Sequence, residues 1–260
     1  MENSCLHTHN LAIGYSEKNQ YNCLANTGNI TLQKGELIAL IGQNGVGKST
    51  LLRTLCGLQK PVSGTFSIQN KDIQAYNGKT LAQQLSVVLT EKLPPSNLSV
   101  WELVALGRQP YTNWIGQLSS QDRQAIQNAL TATGLTAIQH QKHFTLSDGQ
   151  LQKTLIARSL AQETPLIILD EPTTHLDLVH KLKLLKLLKN LCDTQQKCIL
   201  FSTHDIELAL TLCDQILVMT SQKVTQGRPE DLIQNGTIGQ VFRDESIQFD
   251  PNTKTFNLLF

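Results

Sequence analysis

The chain has 260 residues, of which 40% are hydrophobic and 17% charged, with a formal net charge of +1 at pH 7. That length suits one large α/β domain or two small ones, and the near-zero charge excludes bulk attraction to nucleic acid or to an anionic membrane surface, so a partner must be recognised locally. The six cysteines are scattered without CxxC spacing, which argues against a zinc site or a disulfide framework and for reduced, buried thiols. The opening MENSCLHTHNLAI has no basic stretch followed by an apolar one. It reads as no secretory signal and places the chain in the cytosol. The longest apolar runs, LIALIG and PLIILD, fall far short of the about 20 residues that cross a bilayer.

In chain order, the runs NLAIGY, NITL, ELIALIG and GTFSIQ predict strands of a sheet at the start of the fold. ELIALIG leads into GQNGVGKST, Gly42 to Thr50, and then into a helix, KSTLLRTLCGL. After SVVL the character turns helical, with SVWELVALGRQ and SSQDRQAIQNALTATGL, and a mostly helical insertion is expected from about Pro94 to Phe144. Ser120, ahead of Asp122, reads as the cap of the second of these helices. FTLSDGQLQKTLIARSLAQ then opens polar and continues as a helix packed through Leu151, Leu155 and Leu160. From Pro165 onward PLIILD, a long helix from about Leu178, KCILFST, a helix from Asp205 and QILVMT alternate, which predicts right-handed βαβ units and a parallel sheet. In the long helix Leu182, Leu185 and Leu188 recur against Lys181, Lys183 and Lys186 at helical period, as in an amphipathic helix lying on a sheet. RPEDLIQ and IGQVFRD read as short helices and KTFNLLF as a closing strand.

Three stretches carry chemistry. GQNGVGKST has the strand before it and the helix after it that a phosphate loop requires, because backbone amides and a helix N-terminus together cradle a phosphate chain. Lys48 would reach the outer phosphates and the Ser49 hydroxyl would ligate Mg²⁺. In PLIILDEPTTHLD an apolar strand ends in Asp170 and Glu171: Asp170 stands where a carboxylate holds Mg²⁺ or its water, and Glu171 could polarise an attacking water. His204 also follows an apolar strand and is read as a γ-phosphate contact at the same sheet edge. His7, His9, His140 and His143 lack carboxylate or thiol company and are read as surface residues, and His180 as lying on the exposed side of its helix.

Taken together, GQNGVGKST, LSDGQ, LIILDEP and STHD resemble, in order, the motifs of the ATP-binding cassette family, the energising subunits of ABC transporters. The resemblance covers essentially the whole chain. It implies an α/β fold, a single cassette over residues 1–260 with a RecA-like P-loop NTPase core, an antiparallel β subdomain and an α-helical subdomain at about 94–164 that includes the signature. It implies ATP and Mg²⁺ as cofactors, with Gly42, Asn44, Gly45, Gly47, Lys48, Ser49 and Thr50 on the phosphates and Tyr15 stacked on adenine. Metal contacts fall to Ser49 and Asp170. Glu171 corresponds to the catalytic glutamate, His204 to the switch histidine, and Thr174 to Asp177 to the D-loop. Two cassettes of this family pair head to tail, so Ser147, Gly149 and Gln150 would cover the γ-phosphate held by the partner's loop. Two positions depart from the pattern. Asp148 replaces the first signature glycine, with its side chain expected to point away. The glutamine usual after SVVL is replaced by Thr90 or Glu91, with Glu91 the stand-in on chemical grounds because a carboxylate is a hard oxygen ligand.

LSVWELVALGRQPYTNWIGQLSSQD is similar to a stretch of the cassettes that energise import of ferric siderophores, haem and cobalamin, through Val100, Glu102, Leu103, Val104, Gly107, Arg108, Pro110, Gly116, Ser119 and Asp122. The resemblance thus implies an ATP-hydrolysing subunit at the cytoplasmic face of the inner membrane. It would act as a homodimer on a separate permease docked near Glu91 to Arg108, serve a periplasmic or surface binding protein indirectly, and touch no nucleic acid. The alternatives are a soluble cassette ATPase of the assembly or repair type and a nucleotide-binding regulator with little turnover.

Overall fold

The computed structural model describes residues 3–17, 20–90, 94, 96–174, 176–242 and 246–258. Its strands are β1 (Ser4–Glu17), β2 (Gln20–Gly28), β3 (Thr31–Gln33), β4 (Leu37–Gly42), β5 (Ser63–Ile68), β6 (Lys71–Asp72), β7 (Leu85–Val88), β8 (Leu166–Leu169), β9 (Cys198–Ser202), β10 (Gln215–Met219), β11 (Val224–Gly227), β12 (Ile247–Asp250) and β13 (Thr255–Leu258). The α-helices are α1 (Lys48–Leu55), α2 (Gly78–Ala82), α3 (Val100–Ala105), α4 (Ser120–Ala132), α5 (Asp148–Ala161), α6 (Leu178–Gln195), α7 (Ile206–Leu212), α8 (Pro229–Gln234) and α9 (Thr237–Val241).

The central sheet runs β11-β10-β4-β9-β8-β7, parallel throughout except for β11, which pairs antiparallel with β10 at one edge. Strands β4, β8 and β9 are buried along their whole length, which explains why their sequences read as unbroken apolar runs rather than alternating ones. Their alternate side chains still enter two different cores. From β4, Leu37, Ala39 and Ile41 pack with Leu184, Leu185 and Leu188 of α6, while Ile38 and Leu40 pack with Leu51, Leu52 and Leu55 of α1 and with Leu11 and Ile13 of β1. The sheet is therefore held between α6 on one side and α1 with the antiparallel sheet β2-β1-β5-β6 on the other.

Helices α3, α4 and α5 have a core of their own, in which Val100 and Val104 meet Ile126, Ala129, Leu130, Ala157 and Ala161. After α3 the chain tightens into a 3₁₀ turn over Leu106–Tyr111 that presses on α5, and a Cβ on Gly107 would lie 2.2 Å from the carbonyl oxygen of Arg158. Beside it Arg108 is buried, donating from Nε to Asp122 Oδ1 at 2.8 Å and from Nη1 to the Ala161 carbonyl and to Glu163 Oε2, both at 2.7 Å. The buried guanidinium thus ties together the 3₁₀ turn, the start of α4 and the end of α5.

Several expectations are corrected. Ser119, not Ser120, caps α4: its hydroxyl accepts the Asp122 N–H while Asp122 Oδ2 accepts the Ser119 N–H, a reciprocal box that requires the acid three residues on. His143 is buried, with Nδ1 3.4 Å from both Ser96 Oγ and the Leu98 carbonyl, because the backbone between α4 and α5 folds back on the segment before α3. In α5 Leu155 is buried and Leu160 packs half-buried as expected, while Thr154, Ile156, Ala157, Ser159 and Ala161 carry more of the contact than Leu151 does. Cys23 is exposed, whereas the other five thiols are buried. In α6 the buried stripe runs through Leu184, Leu185, Leu188 and Leu191, and Leu182 lies half-buried at its margin.

Removing the Arg108 guanidinium leaves the Asp122 carboxylate buried without its cation, a loss of about 3–5 kcal/mol expected for Arg108→Ala by urea unfolding at neutral pH. Burial opposes ionisation of Asp122, but the bonds from Ser119 and Arg108 outweigh it and hold the carboxyl below its ordinary range. The Asp122 contribution is therefore full above that range and is lost as pH falls through the depressed value, so the deficit of the variant should shrink in acid.

Candidate functional site

Strand β4 ends at Gly42 and α1 begins at Lys48, leaving five residues to turn the backbone around a concavity. The turn uses positive φ at Gly45 (74°) and Gly47 (109°), conformations that glycine adopts without a Cβ penalty. Gly47 is the residue before α1 and makes no side-chain cap, so the first amides of the helix are left for a ligand. Lys48 is buried and folds back over the loop, its Nζ donating to the carbonyls of Gly42 at 3.0 Å and Gln43 at 3.2 Å. Desolvation pulls its ammonium pKa down, and the nearby charges of Glu171 and Asp170 push it back up. The cation is thus set opposite both carboxylates. Ser49 is exposed at the start of the helix, and Thr50 behind it bonds through Oγ1 to the Tyr15 hydroxyl at 2.6 Å. Tyr15 is 48% exposed, which leaves an aromatic face open beside the loop.

The carboxylates come from β8. Its register sets Leu169 beside Phe201 of β9, so Asp170 emerges next to Ser202. Asp170 is only 3% exposed: its Oδ1 accepts from Ser202 Oγ at 2.6 Å and its Oδ2 from Thr90 Oγ1 at 3.4 Å. Glu171 follows in the left-handed region at φ 48°, its N–H donating to the same Ser202 Oγ at 2.8 Å. Its carboxylate is claimed from two sides, Oε1 by His204 Nε2 at 2.8 Å and Oε2 by the Thr174 hydroxyl at 3.0 Å. His204 stands two residues beyond the end of β9, at the sheet edge the sequence implied. Glu91, the expected stand-in for the missing glutamine, lies outside the described residues. Thr90, the other candidate, bonds Asp170. Sequence reasoning missed Ser202, whose hydroxyl is hidden in an otherwise apolar strand.

Ser147, Gly149 and Gln150 lie elsewhere. Ser147 caps α5 in a reciprocal box, its Oγ accepting the Gln150 N–H at 3.3 Å and its N–H donating to Gln150 Oε1 at 3.0 Å. Asp148 is exposed in the first turn. These residues line a cleft of about 580 Å³ with Lys153, Leu176, Asp177 and His180, and neither Lys48 nor Asp170 is among its walls. Asp177 caps α6 through the His180 N–H at 2.9 Å and bonds His180 Nδ1 at 2.7 Å, contacts that hold its carboxyl below the ordinary range. His180 keeps 45% of its side chain exposed while it bonds Asp177, in keeping with its place on the outer side of the helix.

Among the described residues no group of three or more His, Cys, Asp or Glu is placed to hold a metal alone. The donors present, one buried carboxylate and the Ser49 hydroxyl, are hard oxygens that suit Mg²⁺ completed by phosphate and water.

The model of the ABC transporter family matches residues 25–174. The petrobactin import ATP-binding protein FpuD of Bacillus anthracis is 39% identical over 248 residues, spanning 95% of this chain and 89% of that one. A metal-chelate type ABC transporter in an inward-facing conformation superposes with a TM-score of 0.79 at 29% identity, covering 98% of this chain and 96% of that one. A dimeric ATP-binding cassette in a post-hydrolysis state with ADP and phosphate superposes with a TM-score of 0.76 at 27% identity, covering 86% of this chain and 98% of that one.

A methyl group at Gly47 would meet Met219 Cε at 3.0 Å and force a side chain into φ 109°. Gly47→Ala is expected to cost about 1–3 kcal/mol, read as a lowered midpoint in thermal unfolding followed by circular dichroism.

Proposed function

The chain belongs to the ABC transporter family and is an ATP-binding ATPase of that family, and on that premise we propose that it energises import of a metal chelate, such as a ferric siderophore, haem or cobalamin, as a head-to-tail homodimer on a separate permease. The single observation that carries the dimer is the separation of the two half-sites. The phosphate loop faces Asp170 and Glu171, while Ser147 to Gln150 line a different cleft with Asp177. Two copies in opposite orientation bring the second surface of one onto the first surface of the other. Relatives support the import reading, since FpuD is named for petrobactin import and the superposed transporter is of metal-chelate type.

In the proposed site the amides of Gly45, Gly47, Lys48, Ser49 and Thr50 hold the phosphate chain, with Gly42 and Asn44 shaping the loop and Tyr15 lying under the base. Lys48 exchanges its contacts with the Gly42 and Gln43 carbonyls for phosphate oxygens. Glu171 accepts a hydrogen bond from the attacking water and orients it, and His204 holds the carboxylate from one side before turning to the γ-phosphate. Ser49 and Asp170 would hold Mg²⁺, which supplies charge neutralisation of the phosphates when bound. The partner copy's Ser147, Gly149 and Gln150 close over the γ-phosphate and exclude bulk water, leaving the one that Glu171 orients.

The permease would dock at the cytoplasmic face of the membrane, near Glu91 to Arg108 and the rest of the 3₁₀ turn. Leu106, Tyr111, Trp114 and Ile115 expose apolar surface there, with Trp114 94% exposed. A periplasmic or surface binding protein meets the permease and not this chain. Among the described residues no helix is long and apolar enough to cross a membrane, in keeping with a peripheral subunit.

Glu171→Gln removes the carboxylate and keeps the shape. It should lower ATP turnover by about 10²- to 10⁴-fold while ATP still binds, measured by phosphate release and equilibrium binding. Turnover near the unmodified rate would reject Glu171 as the residue that orients water. Purification of the tagged chain from detergent-solubilised membranes of its host should recover a multi-spanning permease. Recovery of a soluble partner instead would favour a cassette ATPase that works without a membrane subunit.

A further inference from the structure

We propose that Thr90 and Ser202 are positioning residues that fix the Asp170 carboxylate in one rotation, and that through Ser202 the same clamp sets the backbone of Glu171. The inference rests on the roles assigned above to Asp170 and Glu171. Asp170 is almost fully buried, and each of its oxygens meets a different hydroxyl: Ser202 on Oδ1 at 2.6 Å and Thr90 on Oδ2 at 3.4 Å. Its backbone is fixed as well, the N–H donating at 2.8 Å to the carbonyl of Val88, two residues before Thr90. A carboxylate held by two neutral donors keeps its full negative charge for a cation, whereas an Arg or Lys partner would neutralise it. The arrangement therefore fixes direction without spending the charge.

Ser202 links this carboxylate to the next residue. Its oxygen receives the Glu171 N–H at 2.8 Å while its proton goes to Asp170, and it is itself fully buried, so no water stands ready to replace it. Glu171 sits at φ 48°, a region that costs a residue with a side chain about 1–3 kcal/mol unless its surroundings hold it there. Loss of the Ser202 hydroxyl removes an acceptor from that strained backbone and a donor from Asp170 in one step. Thr90 enters from another direction, two residues beyond the end of β7. In this chain the hydroxyl acts through Asp170.

The test uses the full chain with Thr90→Val, which keeps the shape and removes the hydroxyl, Thr90→Ser, which keeps the hydroxyl, and Ser202→Ala. Thr90 is exposed, so its variants fold even if the buried Ser202→Ala does not. Thr90→Val and Ser202→Ala should each lower kcat by about 10- to 100-fold with KM for ATP within about twofold, and Thr90→Ser should recover the unmodified rate. A second readout needs no turnover: Mn²⁺ binding to the ADP complex, followed by electron paramagnetic resonance, should weaken about 10-fold in Thr90→Val and not in Thr90→Ser. The proposal is overturned if Thr90→Val matches the unmodified chain in both measurements, or if Thr90→Ser is as slow as Thr90→Val. Glu171→Gln run beside them separates the two levels. If it abolishes turnover while the hydroxyl variants are unaffected, only the clamp is wrong; if it leaves turnover intact, the assigned role of Glu171 falls first.

Discussion

The order and register of β8, β9 and β4 constrain everything else in the site. Leu169 pairs with Phe201 and Leu40 with Ser202, so the three buried strands end nearly level and deliver Asp170, His204 and the glycine loop to one edge. A slip of one residue in either pairing would turn each strand's side chains to the opposite face and exchange the contents of the two cores. Register is therefore specified by hydrophobic packing far from the reacting groups. The polar side chains at the ends of β8 and β9 are then left to orient one another.

How much of this could be read from the chain depended on whether a signal was local. The phosphate loop, the paired carboxylates and His204 each follow an apolar strand closely, and their places in the fold agree with that reading. Strand β2 is hard to read because the alternation of Tyr21, Cys23 and Ala25 in QYNCLANTG is short and set among asparagines, and its extent follows the pairing with β1. Ser202 was unread because a serine inside CILFST looks like an ordinary small strand residue. Only the pairing of β8 with β9 reveals that its hydroxyl lies between Asp170 and the Glu171 amide. His143 failed in the other direction: its burial comes from a chain reversal that no spacing rule records.

The stretch similar to metal-chelate importers proves to be largely architectural. Val100 and Val104 fill the core shared by α3, α4 and α5, Gly107 permits the close approach to α5, and Arg108 with Asp122 fastens the corner. Glu102 and Asp122 complete reciprocal caps with Ser99 and Ser119. These residues thus specify the shape of a helical surface, and a partner would recognise that surface rather than the residues beneath it.

The cap of α5 carries a consequence for electrostatics. A helix N-terminus normally attracts an anion with about half a positive charge, but α5 already has the Asp148 carboxylate in its first turn. In the proposed dimer, a phosphate arriving there would meet a dipole offset by the helix's own residue. It would gain directed N–H and O–H bonds with little long-range pull, so recognition at this end would work by fit at contact distance rather than by steering from afar.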